Sequence, residues 1–131
     1  MITTGMKNTA EIVVTEQVTA DALGSGLLPV YGTPFMIGLI ESTACQCVLP
    51  ELEEGQGTVG SRLEVDHLAA TPIGMKVKCV VTLVEAEGKK LVFDAEVYDE
   101  TGLVGRGRHI RYIIDNAKFM EKAEAKLAGR D

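Results

Sequence analysis

The sequence predicts an α+β fold: a curved, five-stranded antiparallel sheet wrapped around one long central helix, with a further helix at the C-terminus. Three observations predict it. An apolar stretch of sixteen residues, Pro34 to Leu49, carries helix start and stop signals at its two ends. The four segments that follow it alternate with a period of two, the signature of half-buried strands. Those strands are joined mostly by short turns, which force antiparallel neighbours. At 131 residues the chain is the size of a single domain, residues 1–131, and no linker, repeat or low-complexity segment divides it.

The elements follow in order. Glu11 to Val18 is rich in β-branched residues and is predicted as the first strand. Residues 20–32, ADALGSGLLPVYG, are dense in Gly and Pro and read as a loop with a short helical turn. Thr33 then stands as an N-cap before Pro34 at the first helical position, and Pro50 ends the helix. Only Glu41, Ser42, Thr43 and Gln46 are polar within it, so the rest of the protein is expected to wrap it. After the acidic turn ELEEGQG, the strand VGSRLEVDHLAA places Leu63, Val65, His67 and Ala69 on one face. MKVKCVVTLVEAE alternates Met75, Val77, Cys79, Val81 and Leu83 against lysines and Thr82. EGKK and ETG are hairpin turns around LVFDAEVYD, and LVGRGRHIRYIID is the last strand. Residues 117–128 form a charged, Ala-rich terminal helix.

Composition narrows the function classes. Nineteen acidic against thirteen basic residues give a net charge of −6, which disfavours a general nucleic-acid binder because such proteins need a basic face to displace counterions. Three Cys, an odd count without CxxC spacing, disfavour a disulfide framework and a structural metal site. No apolar run is long enough to span a membrane and the N-terminus does not read as a signal peptide, so a reduced, cytoplasmic domain is expected. No P-loop, GxGxxG, HExxH or GxSxG motif is present. One helix and five strands also leave a sheet edge or face to cover, and a dimer is the usual remedy.

Three residues are the main candidates for chemistry. Glu41 lies on a stripe with Ile37, Gly38, Ala44 and Cys45; a carboxylate buried there must be paired, protonated or employed, and a general base is one such employment. His67 points, by strand parity, toward the helix, as either a satisfied core histidine or a partner for that carboxylate. Thr33 explains itself as an N-cap, yet a hydroxyl at a positive helix end is also placed to bind or attack an acyl carbonyl. Eight residues separate Thr33 from Glu41, about 12 Å along a helix axis, so either His67 and substrate bridge them or a second subunit completes the site. His109 and Arg111 share one face of the last strand, by default an exposed one. Arg106, Arg108, Lys76 and Lys78 read equally as a phosphate contact or as scattered surface charge, and the cysteines as small hydrophobes.

TPFMIGLIE, GTVGSRLEVDHLAATPIGM and GKKLVFDAEVYDETGLVGRGRHIRY together resemble the fluoroacetyl-CoA thioesterase-like family of hot-dog-fold acyl-CoA thioesterases, over about residues 30–120. That family pairs a Thr at the start of the central helix with a Glu eight residues on and a His twenty-six beyond; here these are Thr33, Glu41 and His67. A family glycine matches Gly60, and a GxHxR pattern matches Gly107, His109 and Arg111. The resemblance implies hydrolysis of an acyl-CoA thioester to free acid and CoA by a homodimer with sites near the subunit interface. It needs no cofactor, coenzyme A being part of the substrate. In that reading Glu41 is nucleophile or base for water, and His67 exchanges protons with water or the leaving thiolate. Thr33 positions or attacks the acyl group, while Gly60 and Arg111 bind substrate. The fluoroacetate-specialised member guards its site with phenylalanines in the loop before the helix. ALGSGLLPVYG has no Phe and only Tyr31, so a different short or medium acyl group fits as well as fluoroacetyl. Two alternatives use the same fold. A non-catalytic acyl-CoA-binding dimer would dispense with Glu41 or His67. A hydratase would want a His/Asp pair on the helix side, but Asp66 faces away from His67.

Overall fold

The computed structural model describes residues 1–130. Five strands form one antiparallel sheet, β1 (Lys7–Val13), β2 (Gln56–His67), β3 (Lys76–Glu87), β4 (Lys90–Asp99) and β5 (Gly102–Asp115), in the order β1-β3-β4-β5-β2. A short helix α1 (Ala20–Leu23) precedes the long helix α2 (Thr33–Val48), and α3 (Asn116–Ala128) follows β5. The expected meander holds only for β3, β4 and β5. The connection from His67 to Lys76 carries the chain past β4 and β5, so β2 pairs with β5 at the far side of the sheet. Both β1 and β2 are therefore edge strands.

The first strand starts and stops earlier than its apolar residues indicate. Pairing of Lys7–Val13 with Lys76–Thr82 of β3 sets its extent, and Glu16–Val18 turns into a 3₁₀ helix. The β3 alternation is as expected: Val77, Cys79, Val81 and Leu83 are fully buried against α2. From α2, Met36, Leu39, Ile40, Ala44, Cys47 and Val48 enter the same core. Complete burial of a side chain such as Ile40 stabilises the fold by about 1.5–3 kcal/mol.

The helix is not wrapped all round. Pro34, Gly38, Ser42 and Gln46 form an exposed stripe, flanked by half-buried Ile37, Glu41 and Cys45. Glu41 is the single charge on this side and the buried side has none, so composition separates the two faces only weakly. Thr33 is also not the N-cap. Gly32 holds that position, without a side-chain cap, and Thr33 is the first helical residue with its hydroxyl engaged elsewhere.

One irregularity shapes β2. Gly60 pairs with Arg111 and Arg62 with Ile110, so Ser61 is an extra residue, a β-bulge. The bulge shifts the phase of the strand. Thr58 and Gly60 face the helix before it, whereas Leu63, Val65 and His67 face the helix after it. Gly107 permits the close approach of β5 to β2, since a Cβ there would lie 2.2 Å from the Glu64 carbonyl oxygen.

Candidate active site

Thr33 and His67 meet at the N-terminus of α2. The Thr33 Oγ1 and His67 Nδ1 are 2.7 Å apart, and the His67 Nε2 is buried without a hydrogen-bond partner. Burial holds the imidazole below its ordinary value of 6.5, partly offset by the Ala69 backbone, so His67 is neutral at neutral pH. Both residues line a cavity of about 680 Å³ whose other walls include Val30, Tyr31, Pro34 and Ile37. A neutral imidazole against a hydroxyl at a positive helix end is an arrangement for activating that hydroxyl toward an electrophilic carbonyl.

Glu41 lies two helical turns on, away from that pair. Its side chain is 42% exposed, so the expectation of a carboxylate enclosed by the apolar core does not hold within one chain. Its nearest cation is Arg111, whose Nη1 stands 3.9 Å from Oε2. Arg111 and His109 overturn the reading of their strand face as exposed. Arg111 is 6% exposed and His109 is fully buried, because the GxHxR face of β5 turns toward the helix. The Arg111 guanidinium is held by Nε donating to Thr58 Oγ1 at 2.8 Å and Nη2 donating to the Thr58 carbonyl at 2.9 Å. Its Nη1 is 3.1 Å from His109 Nε2.

Gly60 completes this second cluster by having no side chain. A Cβ there would lie 3.0 Å from His109 Cε1, 3.1 Å from Glu41 Oε2 and 3.3 Å from Arg111 Nη1. The structure thus brings Thr33 to His67, and Glu41 to Arg111 and Gly60, as two clusters along one helix. Thr58 was not legible as a partner of Arg111. Its inward direction depends on the Ser61 bulge, and only the glycine two residues on hinted at an inward close approach.

The remaining candidates scatter. Arg106 and Arg108 lie on the outer sheet face among Glu64, Asp66, Asp94 and Glu96, with Arg108 paired to Asp94 at 2.9 Å. Cys47 and Cys79 are buried, Cys45 half-buried, and burial pushes the Cys79 thiol up to about 11. Among the described residues no three His, Cys, Asp or Glu side chains gather in a metal-holding group, and no helix is long and apolar enough to cross a membrane.

A five-stranded sheet curled around one long helix is the hot-dog architecture of solved thioesterase structures. Residues 14–117 match the family model described as fluoroacetyl-CoA-specific thioesterase. A fluoroacetyl-CoA thioesterase of Streptantibioticus cattleyicolor is 36% identical over 97 residues, covering 74% of this chain and 70% of that protein. A solved structure of the fluoroacetyl-CoA thioesterase superposes with a TM-score of 0.92 at 31% identity, over 96% of this chain and 98% of that one. A Thermus thermophilus member of the thioesterase superfamily gives 0.89 at 32% identity, over 99% and 98%. The chain belongs to the fluoroacetyl-CoA-specific thioesterase family of hot-dog thioester hydrolases.

Proposed function

We propose that this protein hydrolyses a short or medium acyl-CoA thioester to the free acid and CoA, at a site assembled from two copies of the chain. The observation that carries the reading is the 2.7 Å contact between Thr33 Oγ1 and a neutral His67 at the start of α2. Thr33 donates to His67 Nδ1, and as Oγ1 attacks the thioester carbonyl the imidazole takes its proton. The positive end of the α2 dipole favours the developing oxyanion. The C–S bond breaks, the CoA thiolate takes the proton from His67, and an acyl-threonyl ester remains. Glu41 then takes a proton from water as the water adds to the ester carbonyl and returns it to Thr33 Oγ1 as the ester C–O bond breaks, which releases the acid and restores both residues.

Glu41 reaches this site from the second copy. With Ser61 as the surplus residue, the midpoint of Gly60 and His67 on β2 falls at Glu64, on a strand whose outer edge has no partner among the described residues. Antiparallel self-pairing about that midpoint, with the two-fold axis perpendicular to the sheet, sets Gly60 of one copy opposite His67 of the other, both facing inward. The cluster of Glu41, Arg111 and Gly60 then meets the pair of Thr33 and His67. The apolar walls of the 680 Å³ cavity suit an uncharged acyl group. In the preceding loop Leu27 is 94% exposed, and no aromatic residue between Ala22 and Val30 closes over the site.

The test is thiol release from acetyl-, fluoroacetyl-, aromatic and medium-chain acyl-CoAs, with His67→Ala beside the wild type. Turnover on at least one ester that collapses in the variant supports the proposal. Binding of CoA esters with no release on any of them points instead to a non-catalytic acyl-CoA-binding dimer. Intact mass of Glu41→Gln after exposure to the best substrate is expected to show the acyl group retained on Thr33. A variant that stays unmodified while substrate is consumed would rule out attack by Thr33.

A further inference from the structure

His109 is fully buried, titratable and unused by the chemistry above, yet its two ring nitrogens are both committed. Its Nδ1 lies 2.8 Å from the Arg62 carbonyl oxygen, which can only accept, so Nδ1 carries the proton. Its Nε2 lies 3.1 Å from Arg111 Nη1, which can only donate, so Nε2 presents its lone pair. The two contacts together define one protonation state, the neutral Nδ1–H tautomer. The acceptor carbonyl belongs to the residue just after the Ser61 bulge, and the ring's Cε1 is the nearest atom to the empty Cβ position of Gly60. His109 therefore touches the three features that shape the Glu41 cluster: the bulge, the glycine and the guanidinium.

We propose that His109 is a positioning residue for the acyl-CoA reaction. As a neutral Nδ1–H imidazole it fixes the Arg111 guanidinium beside Glu41 and Gly60, and ties that orientation to the bulge of β2. The Thr58 contacts hold Nε and Nη2, on one side of the guanidinium. Among the described residues only His109 hydrogen-bonds Nη1, the nitrogen 3.9 Å from the Glu41 carboxylate. Without the Nε2 acceptor the planar group keeps its anchor and loses the contact that sets its tilt. The groups facing the imidazole favour this state. Burial first, then the Arg111 charge, hold it below the ordinary histidine value, against the opposing pull of the Arg62 carbonyl and Glu41. An imidazolium would present a second N–H to Arg111 where an acceptor is required.

The proposal rests on the acyl-CoA hydrolase reading, and its test separates the two. Release of thiol by the wild type establishes the activity; its absence from every ester is a failure of that reading, not of the positioning role. Independently of turnover, the ¹⁵N shifts of the His109 ring report the tautomer, and a proton on Nε2 would overturn the proposal.

With an active wild type, two variants divide the ring's functions. His109→Asn keeps a donor for the Arg62 carbonyl and lacks the acceptor for Arg111. His109→Gln carries an amide oxygen near the Nε2 position and keeps the acceptor. The expected result is a kcat about 10- to 100-fold lower in His109→Asn, with KM changed far less, and kcat within a few-fold of wild type in His109→Gln. Adding His109→Asn to Arg111→Lys is expected to cost little more than Arg111→Lys alone, since both act through one guanidinium. Equal loss in the two His109 variants, a milder effect in His109→Asn, or fully additive losses with Arg111→Lys would overturn the proposal. Should His109→Asn fail to fold, a folded His109→Gln with kcat down by more than about tenfold would overturn it alone.

Discussion

Two variants that are inactive separately are expected to restore activity when paired in one dimer. Thr33 and Glu41 are eight residues apart on α2, about 12 Å along the axis at 1.5 Å per residue. Proton transfer needs heavy atoms within about 3 Å, so in the proposed two-chain site Glu41 serves the Thr33 and His67 of the other copy. A homodimer of His67→Ala retains Glu41 but lacks the base in both sites, and a homodimer of Glu41→Gln has the reverse defect. Each is expected to turn over at about 1% of wild type or less. In a dimer of one chain of each kind, one site combines the intact Thr33 and His67 of the Glu41→Gln chain with the intact Glu41 of the other. The second site carries both lesions. The heterodimer should therefore run at about half the wild-type rate per dimer, because one of two equivalent sites is whole. Co-expression with two different tags, tandem affinity purification and a thiol-release assay on the best acyl-CoA measure it. A heterodimer no more active than its parents would refute the composite site and require each site to be built within one chain.

Two further outcomes follow from the geometry. Gly60→Ala pushes a methyl group to within 3.0–3.3 Å of His109, Glu41 and Arg111, so kcat should fall about 10- to 100-fold while the melting temperature moves little, as thiol release and thermal denaturation will show. Both histidines are held below their ordinary 6.5 in the folded state, so the unfolded chain takes up protons first as the pH falls. Their contribution to stability is complete above pH 6.5 and is lost on acidification toward the folded-state values. Urea denaturation at pH 7.5 and 5.5 should show that loss, smaller in His109→Gln. An unchanged difference in the variant would exclude His109 from it.

The sequence carried most of this molecule because two periodicities dominate it. The β3 alternation and the Pro-bounded apolar helix are set by local sterics and burial, and both appear as read. The order of the strands was less legible, since the eight residues between His67 and Lys76 do not encode which edge β2 will join. The Thr–Pro pair satisfies the local rule for a cap, while the Thr33 hydroxyl answers to a strand thirty-four residues away, in line with the other reading of that residue. An antiparallel strand leaves one face exposed by default, and nothing local in the sequence puts His109 and Arg111 on the other. What buries them is a network supplied by Thr58 and the Arg62 carbonyl, from a different strand. The spacing of Thr33, Glu41 and His67 was visible, and their division into two clusters followed only from helix length.

Ser61 makes chain length a functional variable. Gly60 and His67 have opposite parity, and an unbroken strand would send them to opposite faces of the sheet; the single surplus residue between them puts both on the inner one. Deleting one residue at this point would turn either the glycine or the histidine outward, whatever amino acids remain, and a second insertion would do the same. A relative that keeps every catalytic letter but changes the count between these two positions has therefore lost the site, and one that replaces Ser61 with almost any other residue has kept it. Along this strand the count of residues between Gly60 and His67 constrains the site as firmly as the identity of its side chains.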